Sequence, residues 1–438
     1  MRMWLRARTE WRDRLFYSQA VRSAGSRLYA LWASLTGLLR DREVAALARN
    51  CVAARLASTG PQTVRLERRL RRSAALVGPI DWDQWVPQWK TDRIEKAVVL
   101  KPYVGPREKG VIFVSFEYQW VRLLALDNLE EFAQRYTLVV APSASPPYAL
   151  VHSLFPSRYP GTLFSLISNE GDRQVLKAQS DNICIVPLYA SSWVDPERFY
   201  PDVSVARDID ILMVANFAPV KRHFALFQAL PEIPRNTRVV LVGQPDRGHT
   251  VAEVRQLAGA YGVADRVEIM DSVTHIEIAG LLRRSKISVV LSRREGACMV
   301  VTESLFSDTP MGILEDAVMG SRAFINPQTG RFLRHHHLGL QLADFVANSA
   351  NYRPREWALR NGISCYGSTV TLNQILKRHA LAAGQEWTVD LVPHAWQFDP
   401  VLIRPGDFER LKPAYVDLQQ RFEIRFGLQF TGESPNAH

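Results

Sequence analysis

From about residue 96 the chain alternates short apolar runs with longer mixed segments. "KAVVLKPYV", "GVIFVSFE", "YTLVVAPS", "GTLFSLIS" and "NICIVPL" are β-branched or aromatic runs, and several stretches between them suit helices. A second, cleaner series starts at residue 207 with "RDIDILMVA", "TRVVLVG", "RVEIMD", "ISVVLS" and "TPMGILE". Between these runs lie "VKRHFALFQAL", "TVAEVRQLAGAYG", "HIEIAGLLRRS" and "CMVVTESLFSD", where Gly262 is placed to stop a helix and Thr309-Pro310 opens the next strand. Buried strands alternating with helices predict parallel sheets covered on both faces, an α/β class. "ASSWVDPERFYPDVSVA" (190–206) is Pro-punctuated and aperiodic, and reads as a linker. The expected division is therefore a Rossmann-like domain over 96–195, a second over 207–385, and a tail over 386–438 containing the helical stretch 408–430.

The first 95 residues follow a different pattern. Leu28, Trp32, Leu35 and Leu39 recur at helical spacing and line one face. The run "LYALWASLTGLL" (28–39) has twelve residues, against about 20 needed to cross a bilayer. Neither a secretory leader nor its cleavage site is evident. "STGPQ" (58–62) separates the first helices from "RLERRLRR", and "VGPIDWDQWVPQW" (77–89) reads as a loop into the body.

Composition changes this picture at one point. The apolar share of 47% and charged share of 22% are those of a folded globular protein. The net charge of +10 is uneven, because residues 1–75 hold 16 Arg, no Lys and 5 acids, while the remainder balances 38 basic against 39 acidic residues. The body is therefore neutral, which argues against a nucleic-acid groove and assigns the basic character to the N-terminal segment. An Arg-rich, acid-poor amphipathic segment with Trp4, Trp11 and Trp32 suits an anionic membrane surface. A helical layer packed on the body is the alternative, and an organellar transit peptide is a weaker third. The four cysteines, Cys51, Cys184, Cys298 and Cys365, show no CxxC spacing, which fits a reducing, cytoplasmic setting with the membrane's inner face as its peripheral site.

Ligands of such sheets bind beyond the carboxyl ends of the strands. After "ILMVA" come Asn216, Pro219, Lys221 and Arg222 at the mouth of a helix, a setting that favours a phosphate or diphosphate, although a lysine merely opening an exposed helix is the commoner case. After "ISVVLS", Ser292 ends the strand, Glu295-Gly296 makes the turn, and a helix is expected from Ala297 or Cys298, leaving N–H groups of 296–299 for a ligand. Glu295 would then sit on the loop and Glu303 in the second helical turn, both on one rim. Carboxylates accept hydrogen bonds from vicinal hydroxyls, so sugar and ribose diols are their natural ligands.

These residues resemble those of family-4, GT-B glycosyltransferases. "WVDPERFYP" is similar to that family's interdomain segment, "DIDILMVANFAPVKRH" to its first C-domain strand with a phosphate-contacting lysine, and "SRREGACMVVTESLFSDTP" to its E-x(7)-E segment. The resemblance implies two Rossmann-like domains facing a cleft, beside the basic helical N-terminal segment, with the C-terminal tail returning to the first domain. It implies a retaining, nucleotide-sugar-dependent hexosyltransferase acting on a glycan or lipid-linked acceptor in polysaccharide or cell-envelope synthesis, with no tightly bound cofactor or metal. Glu303 would hold the donor ribose, Glu295 the transferred sugar and Lys221 the leaving diphosphate. Glu295 and Lys221 would form the catalytic pair, and backbone groups at Gly296, Ala297, Met299 and Val300 would cradle sugar and phosphates.

The sequence departs from the family at several points. Asn216 stands where an arginine is common, with Arg222 a substitute, and Asp308 replaces a usual glycine. The first domain has no clear glycine-rich loop beyond "YVGPREKG" (103–110), and His152 is its candidate acceptor-side histidine. These departures keep open a non-catalytic GT-B-like binding or scaffold protein, and more weakly an epimerase or phosphorylase. "RHHHL" (334–338) reads as a solvated turn rather than a metal site, because adjacent histidines point different ways. Cys298 has no nearby histidine to activate it and reads as packing at the helix start.

Overall fold

A computed structural model describes residues 2–39, 42–57, 61–81, 85, 93–94, 96–143, 146–396 and 400–426. Much of the loop expected over 77–89 lies outside the described residues. The chain forms two compact units, one of residues 1–16 with 194–364 and one of residues 17–193 with 365–438.

The second of these units contains a five-stranded sheet of β1 (Ala97–Lys101), β2 (Gly110–Ser115), β3 (Tyr136–Ala141), β4 (Leu163–Ile167) and β5 (Ile183–Tyr189), in that spatial order. The pairs β2–β3, β3–β4 and β4–β5 are parallel as expected, but β1 runs antiparallel to β2. The cause is connection length. Eight residues between β1 and β2 cannot make a crossover, which needs about a dozen. "YVGPREKG" is thus the turn of a hairpin, bridged Gly105 to Glu108, and the buried Glu108 meets Lys101 Nζ at 2.8 Å.

Among the described residues, the helices α1 (Arg2–Tyr17), α2 (Gln19–Gly37), α3 (Glu43–Leu56) and α4 (Pro61–Leu76) precede this sheet. Leu47, Leu66 and Leu70 of α3 and α4 share a core with Tyr148, Leu154 and Val175, so this part of the basic segment packs as a helical layer. The Pro405–Phe422 helix also lies in this unit. Its Leu411, Tyr415 and Leu418 join the core of β1–β3, and the Val99 amide donates to Tyr415 Oη at 3.1 Å. The Cys365–Ala382 helix, which the sequence pattern leaves with the later strands, is here as well, where Ser368 Oγ donates to the Ser192 carbonyl at 2.8 Å.

The other unit is built on β6 (Ile209–Val214), β7 (Val239–Gly243), β8 (Val267–Asp271), β9 (Ser285–Val290), β10 (Met311–Leu314) and β11 (Gly330–Leu333). All pairs are parallel, in the order β11-β10-β9-β6-β7-β8. The chain works outward from β6 in one direction and then, from β9, in the other, so the strand order reverses between β6 and β9. That reversal opens a crevice at the carboxyl ends of these two strands. The edge strand β11 has no counterpart in the predicted series. It is four residues long, and Gly330 is needed there because a Cβ would fall 1.9 Å from the Met311 carbonyl oxygen. Local signals place the helices of this unit. Thr274 and Glu277 form a reciprocal capping box, and Gly262 closes the Val251–Ala260 helix at φ +73°.

Candidate active site

The loops after β6 and β9 meet at the reversal. Lys221 Nζ donates to both Glu295 oxygens at 2.8 Å, with the two side chains only 21% and 10% exposed. Burial alone would lower the lysine's pKa, but the Glu295 carboxylate outweighs it and holds the ammonium above its ordinary value. The Ser292 hydroxyl also donates to Glu295, fixing the carboxylate from the strand end. The Glu295 loop is itself clamped, since the Glu295 amide donates to the Val318 carbonyl at 3.0 Å and the Val318 amide to Arg293 at 2.9 Å.

The turn differs in detail from the expectation. Its left-handed residue is Cys298, at φ +44° and ψ +58°, and Gly296 is not in that region. The helix accordingly starts one or two residues later, at Met299, and runs to Phe306. The amides of Gly296, Ala297, Met299 and Val300 make no hydrogen bond within the described residues. Four such donors beside Lys221 can receive an anionic oxygen. Burial pushes the Cys298 thiol's pKa up, reinforced by the carboxylates of Glu295 and Glu303, so this sulfur is held protonated between the two acids.

Glu303 is buried and its carboxylate accepts no hydrogen bond among the described residues. Burial raises its pKa to about 7, with Arg198 pulling the other way. A carboxyl group with this environment is short of donors, which is what a ligand hydroxyl would supply. Asp308 ends the same helix at φ +55°. The Thr309 amide returns to the Ser304 carbonyl at 2.9 Å, so Asp308 takes the left-handed position a glycine would otherwise occupy.

On the β6 side, Asn216 keeps a buried Oδ1 that has no hydrogen-bond partner among the described residues. Gly243, at the end of β7, allows that loop to close, because a Cβ there would sit 2.4 Å from the Phe217 ring and 2.5 Å from the Ala215 carbonyl oxygen. Arg222 stands apart from the pair. Held at φ +58°, its guanidinium donates to Asp13 at 2.8 and 3.1 Å and to the Leu291 carbonyl at 3.2 Å. Asp13 belongs to α1, whose Glu10 also accepts from Tyr261 Oη at 2.9 Å. Neither anchor is visible in the sequence, where Asp13 and Arg222 are 209 positions apart.

His152, in the other unit, is buried against Trp120 with ring centroids 5.0 Å apart. Its Nδ1 pairs with Gln179 at 3.0 Å while Nε2 has no partner among the described residues, and burial lowers its pKa against the pull of Glu117. His335 pairs with Asp316 at 3.1 Å in an exposed turn, and among the described residues no His, Cys, Asp and Glu group is arranged to hold a metal ion.

Residues 200–333 match the family model described as "Glycosyl transferases group 1". Among solved structures, sucrose-phosphate synthase from Thermosynechococcus elongatus superposes with a TM-score of 0.50 at 17% identity, covering 62% of this chain and 74% of that one. Anabaena HepE in complex with UDP gives 0.47 at 13% identity, covering 62% and 78%. No curated protein matches the sequence. The chain has the GT-B fold of two Rossmann-like units with a helical N-terminal segment, and its residues 200–333 match the glycosyl transferases group 1 model.

Proposed function

We propose that this chain is a retaining glycosyltransferase of the family-4 type, moving a hexose from a nucleoside-diphosphate sugar to a glycan or lipid-linked acceptor. The observation that carries the reading is the meeting of Lys221 and Glu295 at the strand-order reversal of a group 1 domain. In this reading the amides of 296, 297, 299 and 300 and the Lys221 ammonium receive the diphosphate. Glu295 exchanges its lysine partner for hydroxyls of the transferred sugar, and Glu303 takes the ribose hydroxyls it is short of. The acceptor hydroxyl attacks the anomeric carbon on the face from which the diphosphate departs. The new C–O bond forms as the bond to phosphate breaks, and the acceptor's proton leaves on the phosphate oxygen. Polysaccharide or cell-envelope assembly is the setting we assign.

Arg222 gives the rival reading its support. With its guanidinium held by Asp13 and Leu291, a diphosphate would meet Lys221 without a second cation from this loop, as suits a binding protein that no longer transfers. Thermal shift with UDP-, GDP- and ADP-sugars, coupled to assay of released nucleoside diphosphate, separates the two. Transfer predicts that one donor stabilises the protein and is slowly hydrolysed. Stabilisation with no release, even with acceptor extracts, would establish the binding protein, and no stabilisation by any donor would remove the donor site itself.

A further inference from the structure

Outside the group 1 domain, α2 has two unlike faces. Its inner face is small and polar and packs on α3: Ser26, Ala33 and Thr36 are buried, and Ser26 Oγ donates to the Ala53 carbonyl at 2.8 Å. Its outer face carries Leu28, Leu31, Trp32, Leu35 and, in the turn that follows, Leu39, at 50–64% exposure. At about 1.5 Å per residue this stripe runs roughly 17 Å, one helix wide. Five large apolar side chains side by side exceed the scattered exposure of an ordinary surface, so the stripe calls for a partner.

The arginines around it indicate which partner. Arg22 donates to the Arg55 carbonyl at 2.8 Å, Arg69 to the Ala30 carbonyl at 3.2 Å, and Arg49 stacks 4.3 Å from the Trp32 ring while reaching Thr36 Oγ1 at 3.4 Å. All of these acceptors are neutral. Among the described residues none of the three guanidiniums has a carboxylate partner, so they are fixed in place with their charge uncompensated. On α1 the two acids, Glu10 and Asp13, are turned to Tyr261 and Arg222, whereas Trp4 and Trp11 are each 63% exposed. Exposed tryptophans therefore occur on two separate helices.

We propose that the outer face of α2 is a docking surface for an anionic lipid bilayer, in which the leucine stripe and Trp32 enter the headgroup boundary and Arg22, Arg49 and Arg69 meet lipid phosphates. A second copy of the chain is disfavoured, because face-to-face pairing would oppose two uncompensated arginine rims. A nucleic acid would satisfy the arginines but leave four leucines unused. No helix among the described residues is long and apolar enough to cross a membrane, so attachment of this kind is peripheral. The inference does not depend on the proposed sugar transfer.

Vesicle flotation of the full chain tests it, using phosphatidylcholine vesicles with and without about 30% phosphatidylglycerol. Expected are binding to the anionic vesicles, about tenfold weaker binding to neutral ones, and loss of the anionic preference at high salt. The double variant Leu31→Glu, Leu35→Glu should reduce binding about 100-fold. Both side chains are exposed, so thermal melting of this variant should stay with that of the parent, which keeps a loss of binding distinct from a loss of fold. Equal binding to both vesicle types, no binding, or undiminished binding by the double variant would each overturn the proposal. So would light scattering that shows a parent dimer turning monomeric in the variant with no vesicle association in either.

Discussion

The two sheets have similar strand lengths and similar burial, but only one of them reverses its strand order. In the unit that matches the group 1 model the reversal between β6 and β9 brings two loops together, and their Lys221 and Glu295 meet there. In the other unit β1 to β5 follow one another without reversal, so this sheet has no crevice built in by its topology. Its polar chemistry depends on individually buried side chains such as His152. A doubly wound sheet thus specifies where its site is, whereas a sequentially ordered one leaves that to single residues.

The sharpest way to break this comparison is at the loops themselves. Lys221→Ala and Glu295→Gln should each lower donor turnover by about 100- to 1,000-fold, the scale of losing one group preorganised toward developing charge. Sugar-transfer kinetics on the two variants checks this. Should both retain near-parental turnover, the reversal does not mark the site. Glu303→Ala should instead act on binding, weakening nucleotide affinity about 10- to 100-fold in calorimetry, more than Glu295→Ala does. Equal affinities for the two variants would contradict the separate roles.

Much of this was legible because it is local. The strands β6 to β10 are continuous apolar runs, and the two acids of "SRREGACMVVTES" stand at a fixed offset after one of them. What stayed hidden depends on distant pairing. The direction of β1 was missed because a buried antiparallel strand has the same composition as a parallel one, and β11 because Arg331 breaks the apolar run of its four residues. The turn was placed at Glu295-Gly296 and the helix start at Ala297 or Cys298, but the left-handed residue is Cys298 and the helix begins at Met299. The grip of Asp13 on Arg222 could not be read at all, since nothing in α1 marks one carboxylate as a tertiary contact.

Glu303 also gives the comparison a pH dependence. Its folded pKa of about 7 lies above the ordinary 4.5, so the folded state holds its proton more tightly than the unfolded chain. The resulting stability is fully present below pH 4.5 and is lost as pH rises through 7, a change of about 3 kcal/mol. Glu303→Gln should therefore melt near the parent at pH 5 and clearly above it at pH 8. Nucleotide binding should run the opposite way, tightening from pH 6 to 8 as the carboxylate forms, and calorimetry on Glu303→Gln should find that slope gone. A parent stability independent of pH across this range would mean that Glu303 is already ionised in the free protein.

An effect of similar size is expected at the α1 anchor. Asp13→Ala leaves a largely buried guanidinium with only the Leu291 carbonyl, and should cost about 2–4 kcal/mol of stability in thermal or denaturant melting. If the released Arg222 then turns toward the diphosphate, donor affinity rises while stability falls, a split that loss of structure alone would not produce.

The smallest effect should come from the unit without a reversal. His152→Asn shortens a side chain packed on Trp120 and held by Gln179, and removes the partnerless Nε2. If this histidine serves the acceptor, transfer should fall about 3- to 10-fold with the change in acceptor KM or kcat, while donor hydrolysis without acceptor stays at the parental rate. If it serves only the core, melting temperature falls and hydrolysis and transfer decline together with the folded fraction. The ratio of transfer to hydrolysis is therefore the quantity to measure, because it moves only when the sequentially ordered sheet contributes chemistry of its own.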